Sequence, residues 1–391
     1  MELHTHKKGA SAYMERKRFR DLGFTLGEHP PGPLNALTDV PGVAVGHTTL
    51  ICDQPRVART GVTVILPRGG AEGKENVFAG YHSFNGAGEM TGLAWLEDFG
   101  TLTAPIGLTN TLQVGLVRDA ILEWMRAKGQ LASWATPVAA ETYDGRLSDI
   151  HAFHLSREDV FKALDAARGG PVREGCVGGG TGMNCHGFKA GIGTASRVVR
   201  PLCGTFTVGA LVQANYGMRH HFRVNGVPVG LEITAAQVPL PSAGDLSGEE
   251  SSVGRPGGSI IVVIGTDAPL IPPQVRRLAQ RATVGLARMG GIGHDGSGDL
   301  FLAFATGNTL SGGNELPRQV AMFPPNQINA LFEAAAEATE EAILNALCMA
   351  TDMVGRGGAK SFALPLEELQ RVMLRYRPEA RGRFEDVRQG L

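Results

Sequence analysis

The sequence has no run of 18 apolar residues, no Cys-x-x-Cys pair and no excess of either charge. The first absence excludes a long apolar membrane helix. The N-terminal MELHTHKKGASAYMERKRFRDLG is basic but lacks the apolar centre of a secretory signal. Five cysteines, Cys52, Cys176, Cys185, Cys203 and Cys348, are odd in number and scattered over 391 residues. That argues against a disulfide framework and for a reducing compartment, so a soluble, cytoplasmic protein is expected. Lys and Arg number 37 against 38 Asp and Glu. No basic stripe announces nucleic acid, and a small-molecule ligand fits better than nucleic acid or membrane.

What the chain does have is glycine, 54 residues, about twice the ordinary share of roughly 7%. The absence of a G-X-Y period excludes collagen. Phosphate loops fail on order and composition. The G-x-G-x-x-G at Gly291–Gly296 follows a predicted helix and precedes a strand, the reverse of a dinucleotide site. In GRGGAKS, Gly355–Ser361, Ala359 stands where a P-loop requires glycine before Lys360. Most glycines therefore belong to turns and close strand packing. His151 with His154, and His220 beside His221, lack the carboxylate or cysteine partners of a zinc site, and G-x-S-x-G is absent.

Along the chain, residues 1–20 read as a disordered extension. Val40–Val45 and Val62–Leu66 read as buried strands, Thr111–Lys128 and Arg157–Arg168 as helices, and Cys203–Asn215 as a strand. Pro241–Gly258 is polar and rich in Ser, Gly and Pro, the composition of a linker. It ends at Ser259, where SIIVVIG opens an apolar strand. A helix over Pro272–Met289, a strand over Asp299–Thr306, a helix within Asn326–Met353 and an amphipathic helix over Leu366–Tyr376 follow.

The Gly258-Ser259 junction has two readings. Taken alone it is first a strand-opening serine after a loop. It is also what a self-cleaving N-terminal nucleophile hydrolase requires. Glycine lets the Ser259 hydroxyl approach the preceding carbonyl, and cleavage frees an amine that can act as base for its own hydroxyl near neutral pH.

The chain from about Leu37 onward resembles the L-aminopeptidase/D-Ala-esterase/amidase and β-aminopeptidase family of self-processing serine hydrolases. The residues that carry the resemblance are TDVPGVAVGHTT (Thr38–Thr49), RTGVTVILPRG (Arg59–Gly69), FNGAGEMTGL (Phe84–Leu93), PIGLTNTLQVG (Pro105–Gly115), ETYDG (Glu141–Gly145), GGGTGM (Gly178–Met183), VQANYG (Val212–Gly217), GGS (Gly257–Ser259) and GSGDLFLAFATGN (Gly296–Asn308). The resemblance implies an α/β fold, a four-layer α/β/β/α sandwich of the self-processing N-terminal nucleophile type. A single domain is cut after Gly258 into residues 1–258, with a body over 21–258 and a processing linker over 240–258, and residues 259–391.

Ser259 is the implied nucleophile, with Ser297 and Asp299 holding and tuning it; Asp299 is one methylene shorter than the glutamate of β-aminopeptidase relatives. At i, i+2 on a strand start, Ser297 and Asp299 can face one side. Asn215 and Tyr143 are the implied oxyanion donors, and Glu141 the carboxylate for a substrate's free amine. The expected reaction is hydrolysis of the amide or ester bond after a free N-terminal amino acid in a small peptide, amide or ester. It needs no metal or organic cofactor, and the enzyme is a homo-oligomer, a tetramer of cleaved αβ heterodimers. The rivals are an acyltransferase of the ornithine acetyltransferase type, whose nucleophile is threonine, and a non-catalytic binding protein on the same scaffold.

Overall fold

Ser259–Thr266 (SIIVVIGT) is buried at every position, and its side chains divide by parity. Ile260, Val262 and Ile264 enter one hydrophobic core, Ile261 and Val263 another. Successive strand side chains point to opposite faces, so such a run belongs in a sheet covered on both sides. The computed structural model, which describes residues 15–68, 76–131, 133–242, 244, 258–310 and 317–377, places it there.

In chain order the main strands are β1 (Ala44–Cys52), β2 (Ala58–Leu66), β3 (Val77–Gly86), β4 (Thr101–Leu102), β5 (Ile106–Asn110), β6 (Val138–Thr142), β7 (Asn184–Cys185), β8 (Phe188–Lys189), β9 (Ile192–Val199), β10 (Phe206–Asn215), β11 (Ser259–Thr266) and β12 (Gly298–Ala305). The helices are α1 (Leu93–Phe99), α2 (Val114–Ala127), α3 (Arg157–Asp165), α4 (Val229–Glu232), α5 (Pro272–Ala279), α6 (Ala282–Arg288), α7 (Asn329–Cys348) and α8 (Leu366–Tyr376). One sheet runs β1-β2-β5-β6 and the other β4-β3-β12-β11-β10-β9. Both are mixed, with parallel pairs β5/β6 and β11/β12.

Three apolar layers define four structural ones. Between the sheets, Leu211, Ile261, Val263, Leu300 and Leu302 pack with Ile65, Ile106, Leu108, Val138 and Ala140. Outside the four-stranded sheet, Val117, Ile121, Val160 and Leu164 of α2 and α3 cover Val62 and Val64. Outside the six-stranded sheet, α5 to α8 close the largest core. The architecture is the expected α/β/β/α sandwich.

Several local expectations are corrected. Val40–Val43 is a turn rather than strand: Val43 N–H donates to the Val40 carbonyl at 3.1 Å, with Pro41 and Gly42 (φ 83°) between them, the residues a type II turn prefers. The strand starts at Ala44 and runs on through Gly46 and His47. The Pro272–Met289 helix is two helices, parted at Gln280–Arg281. Residues 16–20 are not a disordered extension: Phe19 is fully buried, its N–H donates to Asn345 Oδ1, and Arg16 reaches the carbonyls of Leu347 and Leu364. Residues 1–14 of that extension, and 243 and 245–257 of the linker, lie outside the described residues.

The alanine-rich helix α7 carries a buried ionic network that fastens this N-terminal segment. Arg197, 0% exposed, pairs with Glu337 at 2.9 Å and Glu341 at 2.7 Å, and Arg20 pairs with Glu341 at 2.7 Å. Burial alone would raise the Glu341 carboxyl, but Arg197 and Arg20 hold it below the usual range.

Candidate active site

The ends of β10, β11 and β12 meet at one point. Ser259 opens β11 and lies in register with Asn215, the last residue of β10, and Gly298, the first of β12. Gly298 N–H donates to the Ser259 hydroxyl at 3.2 Å and to the Gly258 carbonyl at 3.1 Å. One backbone donor thus holds both the hydroxyl and the carbonyl that precedes it. Gly258 has no room for a side chain, since a Cβ there would stand 2.6 Å from Tyr216 Cα and 2.7 Å from the Asn215 carbonyl oxygen.

Ser297 and Asp299 do face one side, and the Ser297 hydroxyl donates to Asp299 Oδ1 at 2.7 Å. Burial lifts the Asp299 carboxyl from 3.8 to about 6, against the opposing pull of Ser297 and His294. The loop that delivers Ser297 is pinned from β3. Asn85 Nδ2 donates to the carbonyls of His294 at 2.9 Å, Asp295 at 3.0 Å and Ser297 at 2.5 Å. Asn85 sits where a bulge shifts the β3–β12 register between Asp299 and Leu300, a device that re-aims side chains. Sequence reasoning gave Asn85 no role, because Asn-Gly at a strand end reads as an ordinary turn.

Asn215 is oriented by two main-chain groups. Its Oδ1 accepts from Asn184 N–H at 2.9 Å and its Nδ2 donates to the Tyr143 carbonyl at 3.0 Å. Since only the oxygen can accept, the amide orientation is fixed and one Nδ2 hydrogen remains for the cavity. Tyr143 is 42% exposed at the cavity wall. Glu141, at the end of β6, is buried; it accepts from Glu89 N–H at 3.1 Å and from the Thr111 hydroxyl. Burial raises its carboxyl, against those hydrogen bonds. Thr111 is a second residue that the sequence reading left without a role. It is held by the turn that Asn110 caps, through Asn110 Oδ1 and Leu112 N–H.

Gly258, Ser259, Ser297, Asp299, Asn215, Tyr143 and Glu141 all line one cavity of about 970 Å³. None of the seven site residues named from the family resemblance falls outside it. His151 and His220 line it too, but among the described residues no group of three His, Cys, Asp or Glu side chains is placed to hold a metal. The arrangement offers a hydroxyl on a strand end, a hydroxyl–carboxylate pair beside it, an oriented amide donor, and a buried carboxylate for a cationic group.

Comparison with known proteins places the chain in a family. The model of peptidase family S58 matches residues 35–361. The β-peptidyl aminopeptidase of Sphingosinicella microcystinivorans is 46% identical over 377 residues, 94% of each chain. A β-aminopeptidase structure from Burkholderia sp. superposes with a TM-score of 0.83 at 50% identity, covering 91% of this chain and 98% of the other. The L-aminopeptidase D-Ala-esterase/amidase of Ochrobactrum anthropi, described as a variant of the N-terminal nucleophile hydrolase fold, also gives 0.83, at 42% identity over 92% and 98%. With more than half its length matched and these relatives aligned almost end to end, the chain belongs to peptidase family S58.

Proposed function

We propose that Ser259 acts twice, first to cut the chain after Gly258 and then as the N-terminal nucleophile of a serine aminopeptidase/amidase. The activity class is that of the family: this is a self-processing serine-nucleophile hydrolase acting on small peptide or amino-acid substrates. The observation that carries the residue-level reading is the Gly298 N–H shared between the Ser259 hydroxyl and the Gly258 carbonyl. A donor on that carbonyl favours the oxyanion formed when Ser259 Oγ attacks it. The C–N bond then breaks in favour of an ester, and water releases Gly258 as a carboxylate and Ser259 as a free amine.

In the mature enzyme the Ser259 amine takes the hydroxyl proton as Oγ attacks the substrate carbonyl, and returns it to the leaving amine. Ser297 and Asp299 position the amine. Asn215 Nδ2 and the Tyr143 hydroxyl face the developing oxyanion, each such donor contributing about 2.7 to 4 kcal/mol in comparable sites. Glu141 receives the substrate's free ammonium, which restricts the enzyme to N-terminal residues. Water hydrolyses the acyl-enzyme.

On this reading the cleaved pairs assemble as a tetramer of αβ heterodimers in the cytoplasm. The assembly rests on the resemblance, and light scattering that gives a single αβ pair rejects it. The central test is denaturing electrophoresis with a p-nitroanilide panel of L-α, D-α and β-amino acids. The 41.3 kDa chain is expected to give two fragments and to hydrolyse at least one anilide, and Ser259→Ala to stay whole and inactive. A wild-type chain that remains uncut, or a Ser259→Ala variant that is cut, rejects Ser259.

A further inference from the structure

Three arginines line the cavity, Arg146, Arg219 and Arg356. The Arg219 guanidinium donates to the carbonyls of His186, Gly187, Ile233 and Val238, so its donors are committed to the fold. Arg146 differs. It is half-buried, and among the described residues it has neither an ion pair nor a side-chain hydrogen bond. Burial pulls its pKa down from the ordinary guanidinium value, with the Tyr143 phenol opposing. Its backbone is fixed: Leu147 and Ser148 N–H both donate to the Asp144 carbonyl at 3.0 Å, and the Leu147 carbonyl accepts from Arg356 N–H at 2.9 Å. A cation held on a rigid turn, half-buried and without a counter-ion among the described residues, is placed to pair with an incoming anion.

The cavity's own acids are not that anion. Glu141 is bound to Glu89 N–H and Thr111, and Asp299 to Ser297. With no free acid among the described cavity residues, the guanidinium is left to a ligand, and it matches a carboxylate through two parallel hydrogen bonds. A peptide hydrolysed from its N-terminus carries a carboxylate on the leaving side. We propose that Arg146 binds the free C-terminal carboxylate of a short peptide substrate, so that the enzyme favours peptides of two or three residues over longer or amidated ones. The cavity then reads a zwitterion, its amine at Glu141 and its carboxylate at Arg146. This inference rests on the aminopeptidase reading above.

The test compares kcat/KM for X-Ala, X-Ala-Ala, their C-terminal amides, and X-Asp amide, where X is the residue preferred in the anilide panel. The wild type is expected to favour a free acid over its amide by roughly 10- to 100-fold, mainly through KM, as for a hydrogen bond between charged groups. Arg146→Met is expected to bring that ratio close to one, and Arg146→Lys to keep part of it. Two fragments on a denaturing gel report that each variant has folded and matured. An acid-to-amide ratio near one in the wild type, or one unchanged in Arg146→Met, overturns the inference. So does a preference for X-Asp amide without one for X-Ala, which assigns the arginine to acidic side chains instead. Should Arg146→Met fail to mature, the wild-type ratio and Arg146→Lys still decide. Anilide hydrolysis without acid preference sinks only this subsite, whereas failure on every substrate sinks the aminopeptidase reading with it.

Discussion

Ser297 donates a 2.7 Å hydrogen bond to Asp299, whose carboxyl burial has lifted to about 6. The pair works on the proposed mechanism only while Asp299 is ionised. The Ser259 amine must also be neutral, with an ordinary pKa of about 7.7 to 8.0. As pH falls, log kcat/KM should decline with unit slope below the amine's pKa and steepen to a slope of two below about 6. Asp299→Asn should keep the first limb, lose the second and be slower at pH 8. A wild-type profile with unit slope down to pH 5 contradicts this role.

Gly258 is tested by size. Gly258→Val places carbon atoms on the Tyr216 main chain and the Asn215 carbonyl, displacing the bond that Ser259 attacks. The variant should accumulate as an uncut chain, with Gly258→Ala intermediate in rate. Wild-type cleavage kinetics in Gly258→Val would show that the close approach is irrelevant to processing.

Glu141→Gln keeps the shape but removes the charge that faces a substrate amine. The expected loss is about 1.5 to 3 kcal/mol, or roughly 10- to 150-fold in kcat/KM, chiefly through KM. Self-cleavage involves no free substrate amine and should proceed. If KM for amino-acid anilides is unmoved, the amine is bound elsewhere.

Asn85 holds three loop carbonyls without lining the cavity, so it is a positioning residue. Asn85→Ala should lower stability by about 1 to 3 kcal/mol and reduce kcat more than it raises KM, because the displaced Ser297 acts at the reacting end. A variant destabilised to that extent with unchanged kcat would leave Asn85 a purely structural role.

Arg197 is buried against two glutamates. Arg197→Met should cost about 3 to 5 kcal/mol by leaving Glu337 without a cation in the core and Glu341 with Arg20 alone. Replacing Glu337 by leucine in the same chain, which keeps the Arg20–Glu341 pair, should recover part of that. Melting temperatures check both, and an unperturbed single variant would mean that the network carries no net stability.

The strand beginning at Ser259 was legible because it is short, apolar and bounded by a polar segment, and helix Leu366–Tyr376 because its amphipathic period is regular. The i, i+2 spacing of Ser297 and Asp299 fixed their common side in advance, since strand alternation is a local rule. Local rules also misled. Glu337, Glu340 and Glu341 read as ordinary helix-forming residues of an alanine-rich helix, yet all three are buried, because their partners Arg197, Arg20 and Arg288 come from distant segments. Asn85 and Arg146 were silent for the same reason: a loop clamp and an unmatched cation exist only once separated segments converge. The sequence by itself determined the apolar strands, the helix periods and the chemical types at the Gly258-Ser259 junction. The tertiary structure decided which carboxylates are buried, which amide is oriented and which arginine lacks a partner among the described residues, because burial and hydrogen-bond satisfaction depend on residues far apart in the chain.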